Sequence, residues 1–448
     1  MLLVYALVPA RGRNAVLLAA SLLFYFWGEP VCLFVMLGTA LLGWLGGLAL
    51  GRAGGARAAR LISWLFVGLC LAPLLFFKYT DFFLTNWNAL TGQEVPLLKL
   101  ALPLGISFYT FQVLSYVLDV RKGTVAIQKN PLDFLTYVTL FPQLVAGPIV
   151  RYETVERELK SRRTTLSDFS SGVTRLCAGL GKKVLLANSL ALLVSAEAAG
   201  TSALGCWLVS IAYTLQLYFD FSGYSDMAIG LGRMFGFHFS ENFEYPYCAK
   251  SVTDFWRRWH ISLGSWFRDY VYIPLGGNRC SKLRWLGNIL IVWLLTGFWH
   301  GASWTFLLWG LFFAALLLGE KLLWGRRLAA LPAAVQRLLL LLAVNFSFVL
   351  FRAETLPTTA KMLGGMFGLG VPASTSGAVY NLSSFAVLLL IAAVGATSLP
   401  KTLAARICGL AGERAGTVLE PAFCLVILLL VTAFLVSGSF NPFLYFRF

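Results

Sequence analysis

Charge is what this chain has least of. Only 12% of its 448 residues are Asp, Glu, Lys or Arg, against roughly 25% in an average soluble domain. A soluble protein of this length needs polar residues to cover its surface. With 58% apolar residues, 15% aromatic residues and a mean hydropathy of +0.75, this one has too few. An ordinary soluble enzyme, a disordered chain and a coiled coil are excluded. Acidic residues are scarcer still, 20 against 36 Lys and Arg, for a net charge of +16. The basic residues lie between apolar stretches, as the positive-inside rule requires of a multispanning protein. No basic stripe with interleaved aromatics occurs outside that context, so nucleic acid is not an expected partner.

Other absences narrow the chemistry. The cysteines Cys32, Cys70, Cys177, Cys206, Cys248, Cys280, Cys408 and Cys424 are scattered with no C-x-x-C, and read as small buried hydrophobes. His238, His260 and His300 are far apart and lack metal-ligand spacing, so no metal site is expected. There is no P-loop and no G-x-S-x-G, and the glycines around Gly179 and Gly230 miss the dinucleotide fingerprint. The N-terminus lacks a basic n-region and a cleavage site and reads as the start of a membrane segment. With no obvious nucleophile, the histidines carry the chemistry.

What is present is a series of apolar segments. Residues 14–27, 31–50, 61–77, 100–118, 184–199, 203–219, 286–299, 304–318, 338–351, 382–399 and 418–436 are each compatible with a span, so the pattern predicts an all-α polytopic membrane protein with roughly ten to eleven transmembrane helices. Arg52, Arg57 and Arg60, then Arg121, Lys122 and Lys129, then Lys321, Arg326, Arg327 and Arg337, then Lys401, Arg406 and Arg414 mark cytoplasmic loops. Residues 134–149, broken by Pro142, Gly147 and Pro148, predict a re-entrant element, because irregular backbone is tolerated at membrane depth only where protein or water satisfies it. Residues 151–183 hold eight basic and four acidic residues and read as cytoplasmic or interfacial. Residues 220–284, aromatic-rich and mixed in charge, predict interfacial amphipathic helices. No repeat or linker divides the chain, so 1–448 is expected to be one domain, with a histidine hairpin at 285–318.

Three stretches could carry chemistry, since ionisable residues within membrane segments are functional candidates. His300, between two apolar runs, lies about 14 residues, or roughly 20 Å of helix, beyond Leu286. It is expected deep in the membrane, either as a general base or as a histidine tying two helices together. Gly297 and Gly301 beside it would admit a neighbouring helix or a ligand. In Phe255-Trp256-Arg257-Arg258-Trp259-His260, a continuous helix would bring Trp256 and His260 together at i, i+4. Arg257 and Arg258 could bind phosphates; an interfacial aromatic belt with snorkelling Arg explains the same pattern. Asp220 and Asp226 follow an apolar span at a spacing that does not put them on one helical face. Structural roles, such as pairing with nearby Arg, are favoured for them. His238 reads as packed or interfacial.

These stretches occur together with Ser21-Leu-Leu-Phe-Tyr-Phe-Trp-Gly-Glu-Pro30, Phe141-Pro-Gln-Leu-Val-Ala-Gly-Pro148, Tyr218-Phe-Asp-Phe-Ser-Gly-Tyr-Ser-Asp226, Thr253-Asp-Phe-Trp-Arg-Arg-Trp-His-Ile-Ser-Leu263, Tyr272-Ile-Pro-Leu-Gly-Gly-Asn-Arg279 and Gly297-Phe-Trp-His-Gly-Ala-Ser-Trp304. In this order they closely resemble the membrane-bound O-acyltransferase family, in the bacterial branch that includes the alginate O-acetyltransferase membrane subunit. The likeness covers nearly the whole chain, to 441–448, with an N-terminus shorter than is usual in that branch. It implies helices around a central tunnel, a catalytic histidine at His300 and a second catalytic position at His260. It also implies acyl transfer from a cytoplasmic thioester, most simply acetyl-CoA as co-substrate, with no tightly bound cofactor. Further implied are passage of the acyl group across a bacterial cytoplasmic membrane, an extracytoplasmic SGNH-hydrolase-like partner, and a polysaccharide acceptor such as alginate. Arg257, Arg258 and Lys250 could then meet the phosphates of the donor, while Tyr218, Trp256, Trp259 and Trp299 would line the tunnel. Two alternatives stand beside this reading. One is D-alanyl transfer from a carrier protein to teichoic acid on the same fold. The other is a proton-coupled transporter, for which the expected internal repeat is missing.

Overall fold

The computed structural model describes residues 1–411, 413–438 and 443. The closing motif at 441–448 therefore lies outside the described residues except for Phe443, as do the side chains of Cys408 and Arg414. Every element among the described residues is helical. Seven stretches are long and apolar enough to cross a membrane: Cys32–Gly51, Ala56–Thr91, Leu166–Ala196, Trp304–Ala329, Ala333–Arg352, Ser376–Gly395 and Thr417–Ser437. The chain is an all-α polytopic membrane protein. The larger number of spans read from the sequence includes shorter helices, such as Arg13–Gly28 with 16 residues and Ile106–Lys122 with 17, against the ~20 that a bilayer core takes.

The chain packs as two compact units, Met1–Gly172 with Ala228–Ser240, and Val173–Met227 with Glu241–Phe448. The first contains α1 (Arg13–Gly28), α2 (Cys32–Gly51), α3 (Ala56–Thr91), α4 (Ile106–Lys122) and α5 (Pro131–Thr139). α2 packs on both α3 and α4. α3 runs well past the expected end at residue 77 and carries Pro73 inside it. α4 starts at Ile106, later than expected, because Gly105 turns the chain with φ +72° where an added side chain would meet the Leu144 carbonyl. The 134–149 region is two short helices, Pro131–Thr139 and Phe141–Leu144, broken at Leu140 and buried throughout most of its length. His238 is exposed, with Nδ1 2.7 Å from Glu158 and Nε2 3.6 Å from Asp168.

The segments that matter below lie mostly in the second unit. α6 (Leu166–Gly181) continues through a π-helical stretch, Lys182–Ala187, into α7 (Asn188–Ala196). α8 (Ala203–Met234) is a single 32-residue helix. The composition change at residue 220 is therefore not a helix end; Asp220 and Asp226 lie inside α8. The short helices α9 (Val252–Arg258) and α10 (Ile261–Phe267) follow. Next come α11 (Lys282–His300), α12 (Trp304–Gly319), α13 (Ala333–Arg352), α14 (Ser376–Gly395) and α15 (Glu413–Ser437).

α11 and α12 form a tight antiparallel hairpin. An added Cβ at Gly297 would run into the Phe306 carbonyl, and one at Gly310 into the Trp293 carbonyl, so only glycine allows the backbones to meet there. Gly301 has an extended backbone (φ −173°, ψ 153°) and ends the helix after His300 rather than sharing its face. Backbone cannot yield as a flexible side chain does. Gly310→Ala is thus expected to cost about 1–3 kcal/mol or more by overpacking, read as a lower melting temperature in detergent. Gly287→Ala, in α11 with no atom near the added Cβ, is the matched control and should leave it unchanged or slightly higher, since alanine favours the helix.

Candidate active site

The site grows from a break that helical periodicity does not reveal. Ser251 caps α9 by accepting from the Asp254 N–H (3.1 Å), and Glu320 accepts from the N–H groups of Val252 and Thr253 (2.7 and 3.3 Å). α9 then stops. Trp259 is extended (φ −102°, ψ 124°), and His260 takes left-handed backbone angles (φ 46°, ψ 53°) before α10 begins. For a non-glycine residue that conformation costs roughly 1–2 kcal/mol. The irregular stretch 242–244 holds it in place: Glu244 N–H donates to the Arg258 carbonyl (2.9 Å), and Ile261 N–H to the Asn242 carbonyl (3.0 Å). The continuous helix expected through 255–263 is therefore corrected to two short helices meeting at His260. Trp256 and His260 are not stacked one turn apart.

His260 is 1% exposed. Its ring meets the Phe221 ring edge-on at 4.7 Å, stacks on Phe243 at 6.4 Å and lies 6.0 Å from Trp299. Burial pushes its imidazole down to about 3, so the ring is neutral at physiological pH, because desolvation disfavours the charged form. His300, the last residue of α11, is 6% exposed. Trp299, Trp309 and Phe351 meet its ring edge-on at 5.0, 5.1 and 5.2 Å. The Trp299 indole thus contacts both imidazoles.

A cavity of about 460 Å³ opens beside His260, within the range of small-ligand sites. His260, Trp256 and Thr296 contribute to its wall, together with the cations Arg257, Arg268 and Lys321; no carboxylate lines it among the described residues, although Arg268 is paired with Asp269 beside it at 2.7 and 3.0 Å. Trp256 packs there against Trp293 (4.6 Å) and Phe313 (4.8 Å). A second cavity, of about 260 Å³, is lined by Ser210, Tyr213, Phe348, Arg352 and Glu354 among others. Lys321 follows the end of α12, whereas Arg352 ends α13, which runs back against it. The two cavities therefore lie toward opposite ends of this helix pair. Phe348 touches Trp259 (5.4 Å), and Phe351, one turn on, touches His300.

The structure thus brings His260, Trp256 and Arg257 to one cavity and Trp299 to both histidines. Trp259 and Tyr218 are buried beside that region, stacked around Tyr247 (6.0 and 5.2 Å). Arg258 turns to Asp254 (2.8 Å), which raises its already high pKa further. Lys250 is exposed, and neither it nor Arg258 lines the cavity. Asp220 pairs with Lys183 at 2.5 Å, and Asp226 with Lys182 and Arg175 at 2.6 and 2.8 Å; Arg175 also pairs with Glu241. Sequence reasoning missed Arg268 and Lys321 as cavity residues. Lys321 looked like an ordinary positive-inside charge, and only its position directly after a span hinted otherwise.

A family model described as membrane-bound O-acyltransferase matches residues 128–356. A probable alginate O-acetylase AlgI of Azotobacter vinelandii is 42% identical over 82% of this chain and 75% of its own length. The chain belongs to the membrane-bound O-acyltransferase family. It is an O-acyltransferase, and both histidines fall inside the matched region. A peptidoglycan O-acetyltransferase of Helicobacter pylori is 36% identical over 82% of this chain and 76% of its own length. A teichoic acid D-alanyltransferase of Bacillus subtilis is 29% identical over 55% of this chain and 67% of its own length.

Proposed function

We propose that this chain is an O-acetyltransferase of a bacterial cytoplasmic membrane. It takes acetyl from acetyl-CoA at the cavity beside His260 and delivers it toward the opposite face for O-acetylation of a polysaccharide. The observation that carries this reading is the cavity lined by Arg257, Lys321 and the Asp269-paired Arg268 around His260, with no carboxylate among its described lining residues. An anionic thioester donor is favoured there, at the end of the helix pair that leads into the basic loop at 326–337.

The chemistry balances without a covalent enzyme intermediate. The acceptor hydroxyl attacks the thioester carbonyl, the C–O bond forms and the C–S bond breaks. The hydroxyl proton passes to an imidazole and on to the leaving thiolate. On this reading His300 is the base beside the acceptor and His260 the second catalytic imidazole on the donor side. Two named relatives, an alginate O-acetylase and a peptidoglycan O-acetyltransferase, support acetyl and a cell-surface or secreted glycan. An extracytoplasmic SGNH-hydrolase-like protein would complete the transfer. D-alanyl transfer from a carrier protein has the more distant relative, with shorter coverage, and is the outcome to exclude.

Purified protein in liposomes with radiolabelled acetyl-CoA is expected to release free CoA and pass label to an added acceptor glycan. Neutralising one cavity cation, Arg257→Gln or Lys321→Gln, should raise KM for acetyl-CoA about tenfold, since one charge-assisted hydrogen bond is worth about 1.5–3 kcal/mol at most, with kcat changed much less. Label moving only from a D-alanyl carrier, and none from acetyl-CoA, would overturn the donor assignment.

A further inference from the structure

Asn242 is the most fully buried polar side chain around His260, with no measurable exposure. Its side-chain oxygen receives three contacts: Nδ1 of His260 at 3.1 Å, the N–H of Ser262 at 3.2 Å and the hydroxyl of Ser262 at 2.9 Å. Its amide nitrogen donates to Ser225 Oγ on α8 at 3.1 Å.

This arrangement fixes two proton positions. The Ser262 backbone N–H can only donate, so the amide atom facing it must be oxygen, and the Asn242 amide has one orientation. That oxygen can only accept, so a hydrogen bond between it and Nδ1 of His260 at 3.1 Å requires the hydrogen on Nδ1. In a neutral imidazole the other nitrogen, Nε2, then holds the lone pair. The Ser262 hydroxyl, 3.4 Å from Nδ1, is already directed to the Asn242 oxygen.

We infer that Asn242 is a positioning residue for acyl transfer: it holds His260 in the Nδ1–H tautomer, making Nε2 a proton acceptor and not a donor. The inference rests on the proposed role of His260 in the reaction. It excludes one assignment open to a second catalytic histidine, that of a neutral donor to the thioester carbonyl oxygen through Nε2. His260 instead takes at Nε2 the acceptor's proton on its way from His300 to the leaving thiolate, and for that step is an imidazolium whose Nδ1–H stays on Asn242. The left-handed backbone at His260 follows from the same contacts, because the Ile261 N–H and the Ser262 N–H are both bound to Asn242.

Of the cations that share its cavity, Arg257 and Lys321 disfavour that imidazolium, while Arg268 is paired with Asp269 at 2.7 Å; Arg258, two residues before His260, is paired with Asp254. On the helix that brings Phe221 to the ring, Asp220 is paired with Lys183. Phe243 and Trp299 are uncharged. A neutral amide at 242 therefore keeps the ring a weak base, consistent with the downward push from burial.

Nitrogen-15 labelling of histidine gives a test that needs no turnover, since the chain has three histidines and His260→Gln identifies the ring in question. Wild-type His260 is expected to show a protonated Nδ1 and an unprotonated Nε2. A protonated Nε2 would overturn the inference whether or not the protein uses acetyl-CoA. In turnover, Asn242→Ala should lower kcat about 10–100-fold, as loss of such orienting partners does elsewhere, with KM for acetyl-CoA within about twofold. Asn242→Asp keeps an acceptor for Nδ1–H and adds a charge that favours imidazolium. It should restore most of kcat and move the acid limb of the pH profile up by about one to three pH units. Wild-type kcat in folded Asn242→Ala, or an unmoved acid limb in Asn242→Asp, would refute the positioning role. If Asn242→Ala does not fold, the labelling result and Asn242→Asp decide.

Discussion

His300→Ala lowers acyl transfer by about 10²–10⁴-fold, the usual contribution of a general base, while KM for the donor stays near its wild-type value. The split follows from geometry. His300 is packed among Trp299, Trp309 and Phe351 and does not line the cavity beside His260, so under the proposed mechanism its loss removes a proton acceptor and not a donor-binding contact. The substitution also leaves a hole among three aromatic rings. His300→Gln, which keeps most of the volume and a hydrogen-bonding end, separates the two effects. Both variants should be equally inactive if the imidazole is the base. Steady-state transfer of labelled acetyl, with melting temperature measured in the same detergent, checks this. Full transfer by His300→Gln would remove His300 from the chemistry and leave it as a packing residue.

The second large effect is on stability. Lys183 and Asp220 are 6% and 2% exposed and joined at 2.5 Å. Breaking a buried pair from one side typically costs about 3–5 kcal/mol, because a charge is left uncompensated in a low-dielectric setting. Lys183→Met and Asp220→Leu are each expected to lower the melting temperature markedly and reduce the yield of folded protein. Replacing both together removes both desolvation penalties, so the double variant should recover much of the loss. The coupling is the informative quantity. Additive losses would mean that the pair is not an energetic unit. Phe221, next to Asp220, is the ring edge-on to His260, so the single variants should also lose more activity than their folded fraction explains.

The two predictions draw on features of different legibility. His300 could be found because an ionisable residue between apolar runs, bracketed by Gly297 and Trp299, stands out in a sequence so poor in charge. The Lys183–Asp220 pair could not, since its members are 37 residues apart in segments that read separately as a basic loop and a span end. The π-helical stretch carrying Lys182 and Lys183 has no composition signal either. The helix break at His260 was hidden because an aromatic-rich segment with Arg and Trp fits helical periodicity. The hydrogen bonds that override it come from 242–244, a separate stretch of chain. Arg268 and Lys321 were visible as charges but not as neighbours. Arg258, adjacent to His260's stretch and equally basic, turned instead to Asp254 one helical turn back.

Composition and periodicity alone determined that this is an all-helical membrane protein, because apolar segments so poor in charge satisfy their backbone polar groups in a bilayer by forming helices. The same local patterns, together with the family likeness, picked out the two histidine motifs. Only the tertiary structure decided which cations share a cavity, which side chain meets Nδ1 of His260 and where the helix around it stops. These depend on contacts between residues distant in sequence. An imidazole's tautomer and a side chain's rotamer are set by the partner that arrives in space, and no local pattern records that partner.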